Sequence, residues 1–472
     1  MKKTLALLMS LVMLFGMVSF ASAEEVVTLK WVTVGSGMPD NYQSWADKLN
    51  AYLEEKIGVH IDMEVISWGD WDRRRNVIVS TNEPYDIIFG NNMSYNADVK
   101  LGAYAEITKE MLEANAPDLL KLIPESYWNA CNVDGKLYAV PTYKDSSMSQ
   151  YFVWDNELLT REGQDVTNIH DLAGLEPVFE ALKDKVGNNY LFPSASNGFS
   201  AVMMNYDGLG AGLPTMGVRY DDAERKVVSV MEQTDIMDQL KILHKYFQAE
   251  YINPDAATAP EEQKYRVCGI AQGWPSAAKT VWGPNMGVEA LAVQFGDTIV
   301  SNDTVQGSLN SISVNCEHPD KALQFLNLIN SDSYVRDSFF YGEEGVDWEY
   351  TADKKVHRLQ EVWKMAGYTQ GTFFIVSQLD NVDFNQWDEV KQLNENAKPS
   401  QMLGFYFDST PVLDQISKCT EIYGRYAGEI LTGTVDPEDE AKGVGAMMKE
   451  MRAAGYDEIV AEAQKQIDAW KN

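Results

Sequence analysis

Val26-Val27-Thr28-Leu29-Lys30-Trp31-Val32-Thr33-Val34 runs directly into Gly35-Ser36-Gly37. A run of β-branched and apolar residues stopped by glycine reads as a buried strand ending in a turn. The next stretch changes period. Tyr42, Trp45, Leu49, Tyr52, Leu53 and Ile57 fall at steps of three and four, and Gly58 closes the pattern, which predicts an amphipathic helix with a glycine stop. His60 to Ile66 alternates as a second strand, Trp71 to Val79 reads as a short helix, and Pro84 to Gly90 reads as a third buried strand. Strand, helix, strand, helix, strand is the signature of an α/β fold with a mostly parallel sheet.

In such sheets ligands sit beyond the carboxyl ends of the strands. Those ends carry Gly35-Ser36-Gly37, Ser67-Trp68 and Gly90-Asn91-Asn92, so Ser36, Trp68, Asn91 and Asn92 become candidate ligand contacts. Each taken singly is also ordinary turn chemistry. Further along, Asp134-Gly135 marks a turn and Lys136 to Pro141 reads as extended. From Tyr151 the pattern reads as helical, with amphipathic stretches around Asp171–Lys185 and Asp235–Tyr251. Gly307 to Val314 and Met402 to Phe407 are two more extended pieces, and Lys321 to Asn330 and the tail after Phe407 are helical. No Pro- or Gly-rich linker and no repeat divides the chain, which fits two lobes joined by several crossings. Trp45, Phe325 and Trp470 lie on helix stripes and are expected in the core.

The first residues have the form of a secretory signal. Lys2 and Lys3 precede an apolar run from Leu5 to Phe20, then Ala21-Ser22-Ala23 and the acidic Glu24-Glu25. The run is too short for a spanning helix, so cleavage after Ala23 and an extracytoplasmic protein are expected. The first cysteine is Cys131, so no lipid-carrying cysteine stands at the new N-terminus. Seventy acidic residues against 39 basic give a net charge of −31. Such a surface repels nucleic acid and anionic lipid. Cys131, Cys268, Cys316 and Cys419 have no CxxC spacing, which removes support for zinc and thiol redox sites and leaves open one or two disulfides or free buried thiols.

Several motif fragments fall short. Gly208-Leu209-Gly210-Ala211-Gly212 has Leu213 where a dinucleotide fingerprint needs glycine. Ser200 lacks the second glycine of a nucleophile elbow. The five histidines include no HExxH pair, and Asp383 to Asp388 lacks the central glycine of a calcium loop. No catalytic residue, metal or cofactor is expected.

Four segments together carry a family likeness: EPYDIIFG (83–90), GKLYAVP (135–141), AQGWP (271–275) and HPDKALQFLNLINSD (318–332). The chain resembles the extracellular solute-binding proteins of ABC importers, in the group that includes the maltose-binding protein. Four tail segments, YGEEGVDWEY (341–350), GFYFDSTPV (404–412), LTGTVDP (431–437) and AAGYDEIVAEAQKQIDAW (453–470), resemble the subfamily that carries a C-terminal DUF3502 domain. The resemblance implies a periplasmic-binding-protein-like α/β fold of two discontinuous lobes joined by three hinge crossings, at 138–143, 308–314 and 402–407. Lobe one would be 24–140 with 313–401, and lobe two 141–312 with 402–472. It also implies permease subunits as partners, closure around a small solute, and a monomer that performs no chemistry.

Sugars present hydroxyl edges and C–H faces, so a sugar site needs aromatic platforms and planar polar side chains that leave no buried group unpaired. The 12 Trp and 23 Tyr suit an oligosaccharide. To the strand-end candidates, cleft-facing loops add Glu344 and Trp348 from lobe one, and Tyr143, Lys144, Trp274 and Trp282 from lobe two or the hinge. Trp274 is foremost, since it occupies the family's Trp segment beside Gly273 and Pro275. The competing expectation is a secreted carbohydrate-active hydrolase, which needs two carboxylates flanking the scissile bond; no motif supports it.

Overall fold

The structure is a computed structural model that describes residues 26–470. The expected leader and its cleavage after Ala23 lie outside the described residues. In chain order the main strands are β1 (Val27–Gly35), β2 (Val59–Ser67), β3 (Ile87–Gly90), β4 (Val140–Pro141), β5 (Met148–Asp155), β6 (Cys268–Gln272), β7 (Ala290–Val300), β8 (Leu309–Ile312) and β9 (Lys398–Pro399). The main helices are α1 (Tyr42–Ile57), α2 (Trp68–Thr81), α3 (Thr234–Gln248), α4 (Pro319–Ile329), α5 (Ser333–Tyr341), α6 (Gln386–Asn396), α7 (Leu413–Leu431), α8 (Val444–Ala453) and α9 (Tyr456–Ala469).

β1 is an interior strand, buried on both faces over its second half. Trp31, Val32, Thr33 and Val34 are all fully buried. β2 alternates, burying Val59, Ile61, Met63 and Val65, and pairs parallel to β1 from Val27↔Val59 to Gly35↔Ser67. α1 lies between them in sequence and buries Trp45, Ala46, Leu49 and Leu53. Gly58 ends it in the left-handed region at φ 65°, its N–H donating to Glu54 O at 3.0 Å; a side chain there would be strained. The first sheet runs β2-β1-β3-β8-β4, with β1, β2 and β3 parallel and β8 antiparallel to both its neighbours.

The second sheet runs β6-β5-β7-β9. Its central strand β5 corrects the helical reading from Tyr151, since the helix that follows starts only at Asn156. Tyr151 to Asp155 is buried throughout, and a strand covered on both faces loses the alternation that marks strands in sequence. The expected extended piece 402–407 is irregular, although Met402, Phe405 and Phe407 are buried. The short strand of that region is β9, parallel to β7.

The buried apolar side chains form two large clusters. One draws on Leu29 to Tyr143, Val300 to Phe339 and Met365. The other draws on Phe152 to Phe295 and Met402 to Ile467, including the apolar faces of α3, α7, α8 and α9. The chain passes from the first sheet to the second between Pro141 and Met148, returns between Val300 and Leu309, and reaches the second sheet again at Lys398. A third, smaller cluster gathers Tyr341, Trp348, Val356, Phe373, Val376, Trp387 and Val390. Cys131, Cys268, Cys316 and Cys419 are free thiols, all but Cys316 buried. Among the described residues no helix is long and apolar enough to cross a membrane.

Candidate functional site

Register aligns the strand ends. Gly35, Ser67 and Gly90 terminate β1, β2 and β3 at one end of the first sheet. In the second sheet the start of β5 and the ends of β6 and β7 share one end, because Gln272 pairs with Gln150 and Ile299 with Met148. The connections 141–148 and 300–309 join the two ends. A cleft of about 370 Å³ opens there. The connections contribute Lys144, Asp145, Asp303 and Gly307 to its walls, and the second half contributes Met148, Tyr206, Tyr220 and Gln272. A larger depression of about 760 Å³ lies at the opposite end of the first sheet, near Val27, Asp86 and His318. It sits at the amino ends of the parallel strands, where α/β sheets do not hold their ligands.

A loop from a distant part of the chain borders the cleft. Gly35 has no room for a side chain, since a Cβ there would lie 2.7 Å from Lys364 O. The segment around Lys364 therefore rests directly on the end of β1, with Ser36 N–H donating to Lys364 O at 2.8 Å. The chain continues into Tyr368. Its ring lies within 5° of parallel to Trp68, centroids 6.0 Å apart. The Lys144 ammonium sits 5.5 Å from the Tyr368 ring centre and pairs with Asp145 at 2.5 Å. Asn92 reaches across from the end of β3, its amide 3.4 Å from an Asp303 oxygen. Burial raises the Asp303 carboxyl above its ordinary value, opposed by the Asn92 contact. Burial raises Tyr368 to about 12, helped by the Asp145 charge. Behind Tyr206, the Asp207 carboxyl is pushed up to about 6, first by burial and also by the nearby Asp303 charge.

The sequence-predicted residues separate clearly. Lys144 lines the cleft, and two others border it: Asn92 through its contact with Asp303, and Trp68, 45% exposed, through the Tyr368 ring that Lys144 covers. Ser36 is exposed at the end of β1, and the Asn91 side chain accepts from Met93 N–H within its own turn. Trp274 is half-buried just after β6 and packs against both the third apolar cluster and a small one beneath the second sheet. Tyr143 is buried edge-on against Tyr127 and Phe374. Trp282 is buried against Tyr151.

The structure does not bring Glu344 and Trp348 to the cleft. Glu344 pairs with Lys48 of α1 at 3.0 Å. Trp348 is wholly buried, and its indole N–H donates to Gly342 O at 2.7 Å. Tyr368, Tyr220, Asp145 and Asp303, which the structure places at or beside the cleft, were not among the sequence-predicted residues. Only Asp145 had a signal, its adjacency to Lys144. Among the described residues no group of three or more His, Cys, Asp or Glu side chains is placed to hold a metal ion. Two flat aromatic faces beside amide, carboxylate and ammonium groups can stack C–H surfaces and bond hydroxyls.

Comparison with known proteins agrees with this architecture. Residues 48–341 match the family described as bacterial extracellular solute-binding protein, and residues 401–472 match a domain of unknown function, DUF3502. A carbohydrate ABC transporter substrate-binding protein of Streptococcus pneumoniae is 30% identical over 464 residues, covering 95% of this chain and 92% of that protein. The crystal structure of the N-glycan transport solute binding protein NgtS from Streptococcus pneumoniae is 28% identical and superposes with a TM-score of 0.84, covering 94% of this chain and 98% of that one. The same protein in complex with Man1GlcNAc and with Man5GlcNAc gives 0.73 and 0.69. An HMO-binding, ABC-transporter-associated solute binding protein of Bifidobacterium longum infantis, 16% identical with a TM-score of 0.63 over 94% of this chain and 99% of that one, shares the fold. With most of its length matched, the chain belongs to the bacterial extracellular solute-binding proteins.

Proposed function

We propose that this protein is the extracytoplasmic substrate-binding component of an ABC importer, and that it captures an oligosaccharide between two lobes without transforming it. The observation that carries the reading is the Trp68–Tyr368 aromatic surface beside Lys144, Asp145, Asn92 and Asp303, where the two sheets meet. The relative bound to mannose–N-acetylglucosamine glycans makes that ligand class the first to test. That relative matches this chain with a different TM-score in each of its structures, which supports a family whose members change shape.

In this reading lobe one is 24–140 with 313–401, lobe two is 141–312 with 402–472, and the crossings between them form the hinge. A solute that contacts both lobes only when they are shut shifts the population toward the shut form, which the permease recognises. The mature chain begins after Ala23 and acts as a monomer. The ligand contacts proposed are Trp68, Asn92, Lys144, Tyr368 and Trp274, with Ser36 and Asn91 at the rim.

Calorimetry over a panel of oligosaccharides, starting with Man1GlcNAc and Man5GlcNAc, tests this. Saturable binding to at least one sugar is expected, with the sugar recovered intact. A flat response to every sugar together with strong binding of peptides would refute the sugar reading. Shortened products would favour the hydrolase instead.

A further inference from the structure

We propose that Arg336 is a positioning residue for the sugar platform, a buried guanidinium that fixes the loop 366–372 and through it the ring of Tyr368. The inference rests on the cleft being the oligosaccharide site. Arg336 lies on α5 and is fully buried. Its Nε donates to Thr372 O and its Nη2 to Gly367 O, each at 2.6 Å. Nη1 is buried without a partner, and the Phe340 ring lies 5.3 Å from the guanidinium. The two carbonyls are at opposite ends of the loop, so one planar fork holds both.

Burying a cation whose hydrogen bonds go only to neutral carbonyls is costly relative to water, and the charge of the buried neighbour Asp337 offsets part of that cost. A lysine ammonium is a point charge and cannot reproduce the fork. The loop is shaped to meet it. A Cβ on Gly371 would lie 3.3 Å from Arg336 Cδ and 3.2 Å from Ile329 O, and one on Gly367 would lie 2.6 Å from the Phe340 ring. From the other side Asn310 donates to Thr369 O at 2.9 Å and Thr372 N–H donates to Asn330 at 2.7 Å. Ser308 Oγ, in the connection between the sheets, donates to Tyr368 O at 3.0 Å. The backbone of the loop is therefore held from beneath, while the Tyr368 ring faces Trp68 and Lys144.

A double-mutant cycle on the full mature chain tests the role, with Man1GlcNAc affinity measured for wild type, Arg336→Lys, Tyr368→Ala and the double variant. Arg336→Lys is expected to weaken binding roughly tenfold, the scale of a lost aromatic contact, and to cost less than about twofold further once Tyr368 is alanine. Equal losses in both backgrounds, or wild-type affinity for Arg336→Lys, overturn the proposal. A Tyr368→Ala variant that binds like wild type also overturns it, while wild-type sugar binding still stands for the proposed function.

Amide hydrogen exchange supplies a readout that needs no sugar. Arg336→Lys should accelerate exchange at Gly367–Thr372 and leave α4 protected; exchange raised equally in both marks a purely structural arginine and overturns the proposal. Should Arg336→Lys fail to fold, Arg336→Gln, which keeps a planar donor group but cannot reach both carbonyls, takes its place in the same cycle, and additive losses there overturn the idea equally.

Discussion

The indoles of Trp274 and Trp387 lie 5.8 Å apart at 51°, one just after the end of β6 and the other on α6, the helix that leads to β9. Beside them Ser276 N–H donates to a Glu389 carboxylate oxygen at 2.8 Å. Phe373 stacks on the far side of Trp387 at 4.1 Å, and Tyr368 packs against the same apolar cluster. An aromatic band thus extends from the cleft face of Tyr368 to the second sheet. Movement between the halves must either carry this band along or break it.

Trp274 has a buried Nε1–H with no acceptor in this conformation. An orphaned donor of that kind costs about 1–3 kcal/mol, so a sugar hydroxyl reaching it on closure would recover that energy. Trp274→Phe keeps most of the ring and removes the donor. The expected outcome is equal or slightly higher thermal stability with sugar affinity reduced roughly tenfold. Calorimetry beside thermal unfolding checks both, and undiminished affinity would assign Trp274 to packing alone.

Trp68 makes the complementary case. It is 45% exposed and packs against only part of its surface. Trp68→Ala should therefore change stability by less than about 0.5–1 kcal/mol while weakening oligosaccharide binding by about 1–3 kcal/mol. Denaturant unfolding and a titration on the same sample separate the two effects. A variant that unfolds early but binds normally contradicts the assignment.

The legible part of the sequence was the part in which local pattern and tertiary burial agree. β1 to β3 and α1 read correctly because apolar runs, a 3.6-residue stripe and Gly58 each demand one conformation. The same strand ends pointed to Trp68 and Asn92, which the structure sets beside the cleft. β5 was lost because burial on both faces erased its alternation. Tyr368, Tyr220 and Asp303 were invisible because each sits on an irregular segment or a single helical turn, and only the folding of remote segments brings them to the cleft. Glu344 and Trp348 lie away from the cleft for the opposite reason. Their segment has the composition of a sugar loop, yet an ion pair to Lys48 and a hydrogen bond to Gly342 O hold them elsewhere.

That displacement predicts a clean contrast for Trp348. It is wholly buried among Tyr334, Tyr341 and Tyr350, with the Tyr350 ring 4.8 Å away. Trp348→Ala leaves a large cavity and an unpaired Gly342 carbonyl, at a cost of about 3–5 kcal/mol. Equilibrium unfolding should show that loss, while sugar affinity of the folded fraction changes less than about twofold, below the scale of one hydrogen bond. A selective loss of affinity at full stability would return Trp348 to the binding surface.

Asp207 gives a pH-dependent prediction. It is 5% exposed, one oxygen accepts from Leu209 N–H at 2.8 Å, and the other has no partner. Burial, opposed by the nearby Ser400 hydroxyl and by Leu209 N–H and aided by the charge of Asp303, raises its carboxyl from 3.8 to about 6. The folded state thus binds this proton more tightly than the unfolded chain does. Below about pH 4 the group is protonated in both states and carries no penalty. Between about pH 4 and 6 the unfolded chain ionises first, so stability falls as pH rises, and above about pH 6 the full penalty of about 3 kcal/mol applies. Asp207→Asn retains the acceptor for Leu209 and cannot ionise. The stability of the variant relative to wild type should therefore climb by about 2–3 kcal/mol between about pH 4 and pH 7 and then level off. Urea unfolding of both proteins across that range cancels the contribution of carboxylates that do not interact with Asp207, leaving Asp207 and its coupling to Asp303. A difference that stays constant with pH would mean that Asp207 is ionised in the folded protein throughout, with water or a rearranged donor satisfying its second oxygen.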